Sequence, residues 1–127
     1  MFMITYFAKT DTGLVRDLNE DCYGADEQRG LWLVADGVGG HNCGDIASDI
    51  VRTTILHEYS NGATMRRSIE AAHEAVLAEM RKTNIESGMG STVVASAIQD
   101  HSYEIAWVGD SRAYLWNGEL KIGRAHV

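Results

Sequence analysis

Apolar and polar positions change their period twice along this chain. Up to residue 35 the apolar residues sit in short runs, between 44 and 84 they recur every three or four positions, and beyond 90 they return to short β-branched runs. Period two and short runs belong to strands, and a spacing of three to four belongs to helices. The first zone therefore predicts strands over residues 2–8, 21–25 and 31–35, with Gly13-Leu14-Val15-Arg16 as a loop or short extended piece. The second predicts a helix from Gly44 to about Tyr59, with Ile46, Ala47, Ile50, Val51, Thr54 and Ile55 on one face and Asn61-Gly62 ending it. Thr64 is placed to N-cap a second helix running to about Asn84, with Ile69, Ala72, Val76, Leu77 and Met80 as its stripe. The third zone predicts strands over 92–98, 103–108 and 112–116, a turn at Gln99-Asp100-His101-Ser102, and a hairpin at Asn117-Gly118. Strands, then two helices, then a meander of strands describe an α+β layered fold rather than alternating βαβ units.

Composition narrows the class. A chain of 127 residues makes one domain, and 45% hydrophobic with 23% charged residues is ordinary for a globular protein. The net charge of −7 argues against a nucleic-acid binder. No stretch approaches the length of a membrane span, and the apolar N-terminus lacks a basic leader region, so it reads as a strand. Cys22 and Cys43 form no CxxC pair; a bridge between them and two free thiols both fit the count, and a cytoplasmic setting favours thiols.

The apolar run Leu31-Trp32-Leu33-Val34-Ala35 ends in Asp36, followed by Gly37-Val38-Gly39-Gly40-His41. Glycines here predict a sharp turn and a close approach of main chain to a ligand. A carboxylate beside bare carbonyls suits a hard divalent cation. Upstream lie Arg16, whose planar fork matches phosphate oxygens, and the cluster Asn19-Glu20-Asp21; downstream lies Asp110-Ser111-Arg112. Phosphate-ester hydrolysis requires an activated water and neutralisation of phosphoryl charge, which paired divalent metals supply. Other motifs fail on inspection. The glycines imitate a dinucleotide fingerprint, but Asn42 stands where its last glycine belongs, and His73-Glu74 lacks a second histidine because Leu77 occupies that position. Ser111 has no partnered base in the sequence and is no nucleophile.

The order and flanks of these pieces resemble the metal-dependent protein phosphatase family, type 2C, in a bacterial-like form. The matching segments are Thr10-Asp11-Thr12-Gly13-Leu14-Val15-Arg16, Asn19-Glu20-Asp21, Val34 to His41, Gly44 with Ala47-Ser48, Gly90-Ser91-Thr92, and Val108 to Tyr114. The resemblance implies a four-layer α-β-β-α sandwich, of which this chain supplies the N-terminal half, and removal of phosphate from phosphoserine or phosphothreonine in proteins, opposite a Ser/Thr kinase. It implies two Mn²⁺ or Mg²⁺ ions bridged by Asp36, with the bridging water as nucleophile. Glu20 and the Gly37 carbonyl would complete one ion's protein ligands, Asp21 would orient its waters, Arg16 would clamp the phosphate, and Asp110 would serve a third, weaker ion. Some relatives carry a histidine as general acid where this chain has Val38, and the family's further aspartates lie in a C-terminal half that the chain does not reach. A non-catalytic phosphoprotein- or metal-binding module is the competing expectation. Residues 122–127, Ile-Gly-Arg-Ala-His-Val, coincide with one reading frame of a common sequencing adapter, so residues 1–121 are read as the native part of the catalytic domain.

Overall fold

The computed structural model describes residues 4–40, 43–84, 88–116, 118 and 120–123. Its strands are β1 (Asp21–Asp26), β2 (Leu31–Gly39), β3 (Met89–Ser91), β4 (Val93–Gln99), β5 (Ser102–Val108), β6 (Ala113–Trp116) and β7 (Leu120–Gly123), and its helices are α1 (Gly44–Ser60) and α2 (Met65–Thr83). The main sheet runs β1-β2-β4-β5, with β3 extending the β4 side of β2, and every pairing is antiparallel. β6 and β7 form a separate two-stranded sheet. One helical layer on one sheet is the α+β arrangement that the pattern predicts.

Alternation along β2 sets the two faces. Leu31, Leu33, Ala35 and Gly37 are buried, whereas Val34, Asp36 and Val38 are exposed on the other side. The buried face meets Ala47, Val51 and Ile55 of α1, Ala72 and Val76 of α2, and Val93, Ala95 and Ala97 of β4 in one core. α1 lies on β1 and β2, and α2 packs chiefly on α1. Thr64 caps α2 through its hydroxyl, which accepts from the Arg67 N–H at 3.2 Å, and Asn84 closes the helix in the left-handed region at φ 53°. No helix among the described residues is long and apolar enough to cross a membrane. Neither cysteine is in a disulfide, and the Cys22 thiol donates to the Ser48 carbonyl at 3.3 Å.

Three expectations change. Residues 4–8 are not a strand, and residues 2 and 3 lie outside the described residues. Tyr6, Phe7 and Ala8 stand over the open face of the sheet beside Tyr23, Trp32 and Val34, with the Tyr6 and Trp32 rings 5.9 Å apart. There the segment packs through rings and forms no ladder. The helix stripes also shift: Ile46 is 43% exposed, whereas Ser48 and Ser68 are buried. Their hydroxyls donate to Asp45 O and Thr64 O within their own helices, which removes the cost of burying them. Finally, β2 does not turn after Asp36 but continues through Gly37 to Gly39. The hairpin residue Asn117 and residues 124–127 lie outside the described residues, while Ile122 and Gly123 fall in β7.

Gly37 is required for room rather than for a turn. A Cβ built there would sit 1.8 Å from the Gly44 carbonyl oxygen and 2.9 Å from the Glu20 carbonyl oxygen, both main-chain atoms that cannot swing aside. Gly37→Ala should therefore destabilise the chain by about 2–3 kcal/mol or more, measured by urea unfolding. A change below roughly 0.5 kcal/mol would show that β2 and α1 do not touch there.

Candidate functional site

The site is built at the end of β2 that approaches α1. Asp36 gives both its main-chain groups to the β4 side: its N–H goes to Thr92 Oγ1 at 3.1 Å and its carbonyl accepts the Thr92 N–H at 2.8 Å. Its partner across β1 is Asp21. That makes Asp21 and Asp36 a non-hydrogen-bonded pair, the arrangement in which facing side chains come closest. Two like charges directly opposite destabilise a ladder unless something positive lies between them. Gly37, next along, turns its N–H to the Glu20 carbonyl at 3.0 Å, which fixes the residue before β1 against the strand.

Electrostatics record the crowding. The Asp36 carboxyl is held above the usual carboxylate range, first by partial desolvation, then by the hydrogen bond it shares with Asp21 and by the charges of Asp21 and Asp110, with Arg16 pulling the other way. Asp21, Asp110 and Arg16 thus all act on Asp36, although they lie far apart in sequence. Arg16 is exposed on the loop before β1, and Asp110 is exposed in the bend between β5 and β6. The loop is tied down from within. Asn19 donates to Thr10 Oγ1 at 2.7 Å, accepts the Asp21 N–H at 3.0 Å, and so braces the start of β1. A cleft of about 320 Å³ opens here, lined by Lys9, Thr10, Asp11, Asp21, Asp36 and Ser111 among others.

The donor set fits a hard divalent cation. Glu20 Oε2 is buried with no hydrogen-bond partner, an expensive state for a carboxylate oxygen that a cation would relieve. A Cβ built on Gly44 would fall 1.8 Å from that oxygen and 2.9 Å from the Gly37 carbonyl carbon, so Glu20 and the Gly37 main chain share one small space at the start of α1. Among the described residues no three Asp, Glu, His or Cys side chains converge on one ion position. What is gathered is one side of a cation site, not a closed cage. His41, at the end of the glycine run, lies outside the described residues.

The family model of protein phosphatase 2C matches residues 6–122. The chain belongs to the protein phosphatase 2C family. Curated relatives of this phosphatase 2C chain include serine/threonine protein phosphatase PstP of Mycobacterium tuberculosis (strain CDC 1551), 34% identical over 93% of this chain and 24% of the relative. Another is serine/threonine phosphatase stp of Listeria monocytogenes (strain EGD-e), 32% identical over 84% of this chain and 48% of the relative. The crystal structure of the M. tuberculosis phosphatase PstP/Ppp superposes with a TM-score of 0.82 at 31% identity, covering 92% of this chain and 52% of that one. The PstP catalytic domain in complex with two manganese ions gives a TM-score of 0.80 at 31% identity, covering 90% and 52%. The chain therefore spans about half the length of these solved phosphatases, and its two layers correspond to part of the phosphatase 2C sandwich.

The sequence singles out Arg16, Glu20, Asp21, Asp36, Gly37 and Asp110, with Asn19 only as part of the Asn19-Glu20-Asp21 cluster, and it assigns no role to Thr92, Ser111 or Gly44. Thr92 Oγ1 lies 3.1 Å from Ser111 Oγ, so the hydroxyl set aside as a nucleophile is instead part of the frame around Asp36. The signal was present, since Gly90-Ser91-Thr92 and Val108 to Tyr114 were among the matching segments. The pairing that gives them meaning appears only in the register.

Because the folded-state pKa of Asp36 is raised, the folded chain holds its proton more tightly than the unfolded chain between about pH 4 and the raised value. Stability must fall as pH rises through that window, with the full penalty present above it and none below it. Without divalent cations, Asp36→Asn should therefore melt at a higher temperature than wild type at pH 7.5, with the gap closing towards pH 4. Thermal melts in EDTA across this range check it, and a gap independent of pH would rule out the electrostatic cause.

Proposed function

We propose that residues 1–121 form the first half of the catalytic domain of a metal-dependent phosphatase acting on phosphoserine and phosphothreonine in proteins. The observation that carries this reading is the register that sets Asp36 opposite Asp21, beside a Glu20 oxygen with no partner. A fold stabilised for its own sake would not stack uncompensated carboxylates on the face of a strand. In this reading Asp36 contributes to two cation positions, Glu20 and the Gly37 carbonyl to one of them, Asp21 orients the water around it, and Asp110 serves a further, weaker one. When bound, two Mn²⁺ or Mg²⁺ ions supply a nucleophilic water and neutralise charge on the phosphoryl oxygens. Manganese is favoured as the first ion to test because the PstP catalytic domain has been crystallised with two manganese ions.

The chain's own residues do the remaining work. Arg16 presents a bidentate donor to the phosphate at the mouth of the acidic site and offsets its charge. Val38, 68% exposed on the same strand face, has no proton to give, so the leaving oxygen takes its proton from water rather than from a side chain at that position. The substrate is a phosphorylated protein, the opposing enzyme a Ser/Thr kinase, and the setting the cytoplasm, which suits the two thiols. A net charge of −7 disfavours nucleic acid as a partner, and no membrane contact is proposed. Residues 122–127 are proposed to be adapter-derived. Sequencing the parent locus tests this: an unbroken native frame through residue 122 is expected, and a stop codon there refutes it.

Because the 127-residue chain spans about half the length of the solved phosphatases, a second reading for it on its own is a module that takes up metal or phosphoprotein without turnover. Assaying p-nitrophenyl phosphate and a phosphothreonine peptide with Mn²⁺ separates the two. The longer protein from the parent locus should turn over both, Asp36→Asn should lower kcat by roughly 100-fold or more, and Arg16→Ala should act chiefly on KM. Turnover that survives Asp36→Asn, or a longer protein with none, would refute the phosphatase reading; a raised melting temperature with Mn²⁺ and no turnover would leave the binding module standing.

A further inference from the structure

Facing residues in the hydrogen-bonded positions of an antiparallel ladder exchange two main-chain bonds. The register that pairs Val34 with Val94 and Gly37 with Ser91 sets Asp36 opposite Thr92. One bond of that pair is regular, the Thr92 N–H donating to the Asp36 carbonyl at 2.8 Å. The return bond is not. The Asp36 N–H donates to the Thr92 hydroxyl oxygen at 3.1 Å, while the Thr92 carbonyl accepts the Ser91 hydroxyl at 2.8 Å. The ladder breaks at this point, between the end of β3 at Ser91 and the start of β4 at Val93. A side chain has replaced a main-chain acceptor at the residue whose carboxylate lies at the centre of the site.

The same threonine reaches the other acidic segment. Its Oγ1 lies 3.1 Å from Ser111 Oγ, immediately after Asp110. Its methyl group fills the space beside Gly109, immediately before Asp110: a Cβ built there would fall 2.5 Å from Thr92 Cγ2, and Gly109 holds a φ of +105° that other residues rarely adopt. Thr92 therefore touches the main chain of Asp36 on both its polar groups and the residues on either side of Asp110. A threonine needed only to fill space at a strand break would leave its hydroxyl to water or to its own backbone. Here the hydroxyl joins Asp36 to Ser111, two residues far apart in the chain.

We propose that Thr92 is a positioning residue whose hydroxyl fixes Asp36 relative to Asp110, so that the two carboxylates meet bound cations in one rigid arrangement. The geometry stands on its own; its meaning for cation uptake rests on the phosphatase reading above. The chemistry asks for this residue in particular. Valine fills the same volume but breaks both hydroxyl contacts, whereas serine keeps the hydroxyl and loses the methyl contact with Gly109.

The test uses Thr92→Val, Thr92→Ser and Ser111→Ala in the whole chain, with two readouts. In EDTA, amide hydrogen exchange by NMR should show the Asp36 N–H exchanging about tenfold faster in Thr92→Val, with shifted resonances for Gly109 to Arg112, and near wild-type behaviour in Thr92→Ser. In Ser111→Ala the Asp36 N–H should stay protected while the Asp110 segment alone shifts. Calorimetric titration with Mn²⁺ should show affinity weakened roughly tenfold to a hundredfold in Thr92→Val and largely restored in Thr92→Ser. Unchanged Asp36 exchange and unmoved Asp110 resonances in Thr92→Val would overturn the strut. Altered exchange with wild-type Mn²⁺ affinity would overturn its role in cation uptake. If wild type itself takes up no Mn²⁺, the cation role falls together with the metal reading, and the EDTA measurement still decides the strut. If Thr92→Val does not fold, Ser111→Ala with an unshifted Asp110 segment overturns the proposal by itself.

Discussion

The architecture turns on a contact between two stretches of bare main chain, Gly37 in β2 and Gly44 at the first turn of α1. A side-chain carbon on Gly37 would overlap the Gly44 carbonyl, and one on Gly44 would overlap the Glu20 carboxylate. With neither present, strand and helix meet at backbone distance, and Glu20 enters the space left over. The angle at which α1 leaves β2 follows from this contact, and with it the placement of Ala47, Val51 and Ile55 over Leu31, Leu33 and Ala35. The helix start carries the positive end of its dipole, so a buried carboxylate is less costly there than elsewhere. A packing constraint and a chemical one are met by the same atoms.

Around that contact the chain tolerates an arrangement that costs stability. Asp21 faces Asp36 across the ladder, and the Asp110 charge adds to the repulsion. The strain stays local because the acidic side chains occupy the face of β2 that the helices do not cover. Braces from several directions keep the carboxylates from moving apart: Asn19 ties the start of β1 to Thr10, and Thr92 ties β2 to the turn after β5. Hydrogen bonds hold positions that electrostatics would spread, as expected where function sets the geometry at the expense of stability.

Some of this was legible in the chain and some was not, for physical reasons. The capped helix α2 was readable because Thr64 and Asn84 act within one turn of sequence. β2 was readable because its apolar run is long. The glycines after Asp36 were misread, because glycine permits both a turn and a close approach and only the neighbour decides between them. Residues 4–8 have strand composition, but a strand requires a partner edge, and here Tyr6 lies on the Trp32 ring instead. Ser48 and Ser68 have no place in the predicted stripes, because helix back-bonding is invisible to a hydropathy pattern. The acidic residues of the site were recognisable from their motifs, whereas the facing of Asp21 on Asp36, and of Thr92 on Asp36, depends on register, which links residues 15 and 56 positions apart.

The alternation along β2 has a consequence for how such a strand can change over evolutionary time. Core and chemistry are interleaved residue by residue: Leu33, Ala35 and Gly37 face the helices, and Val34, Asp36 and Val38 face away. Gain or loss of a single residue within this stretch would exchange the two sets, driving a carboxylate into the helix layer and turning leucine towards water. Such a strand can drift by substitution but not by length. The spacing from Leu31 to Gly39 therefore acts as a fixed ruler, and a change of length is tolerable only outside the strand.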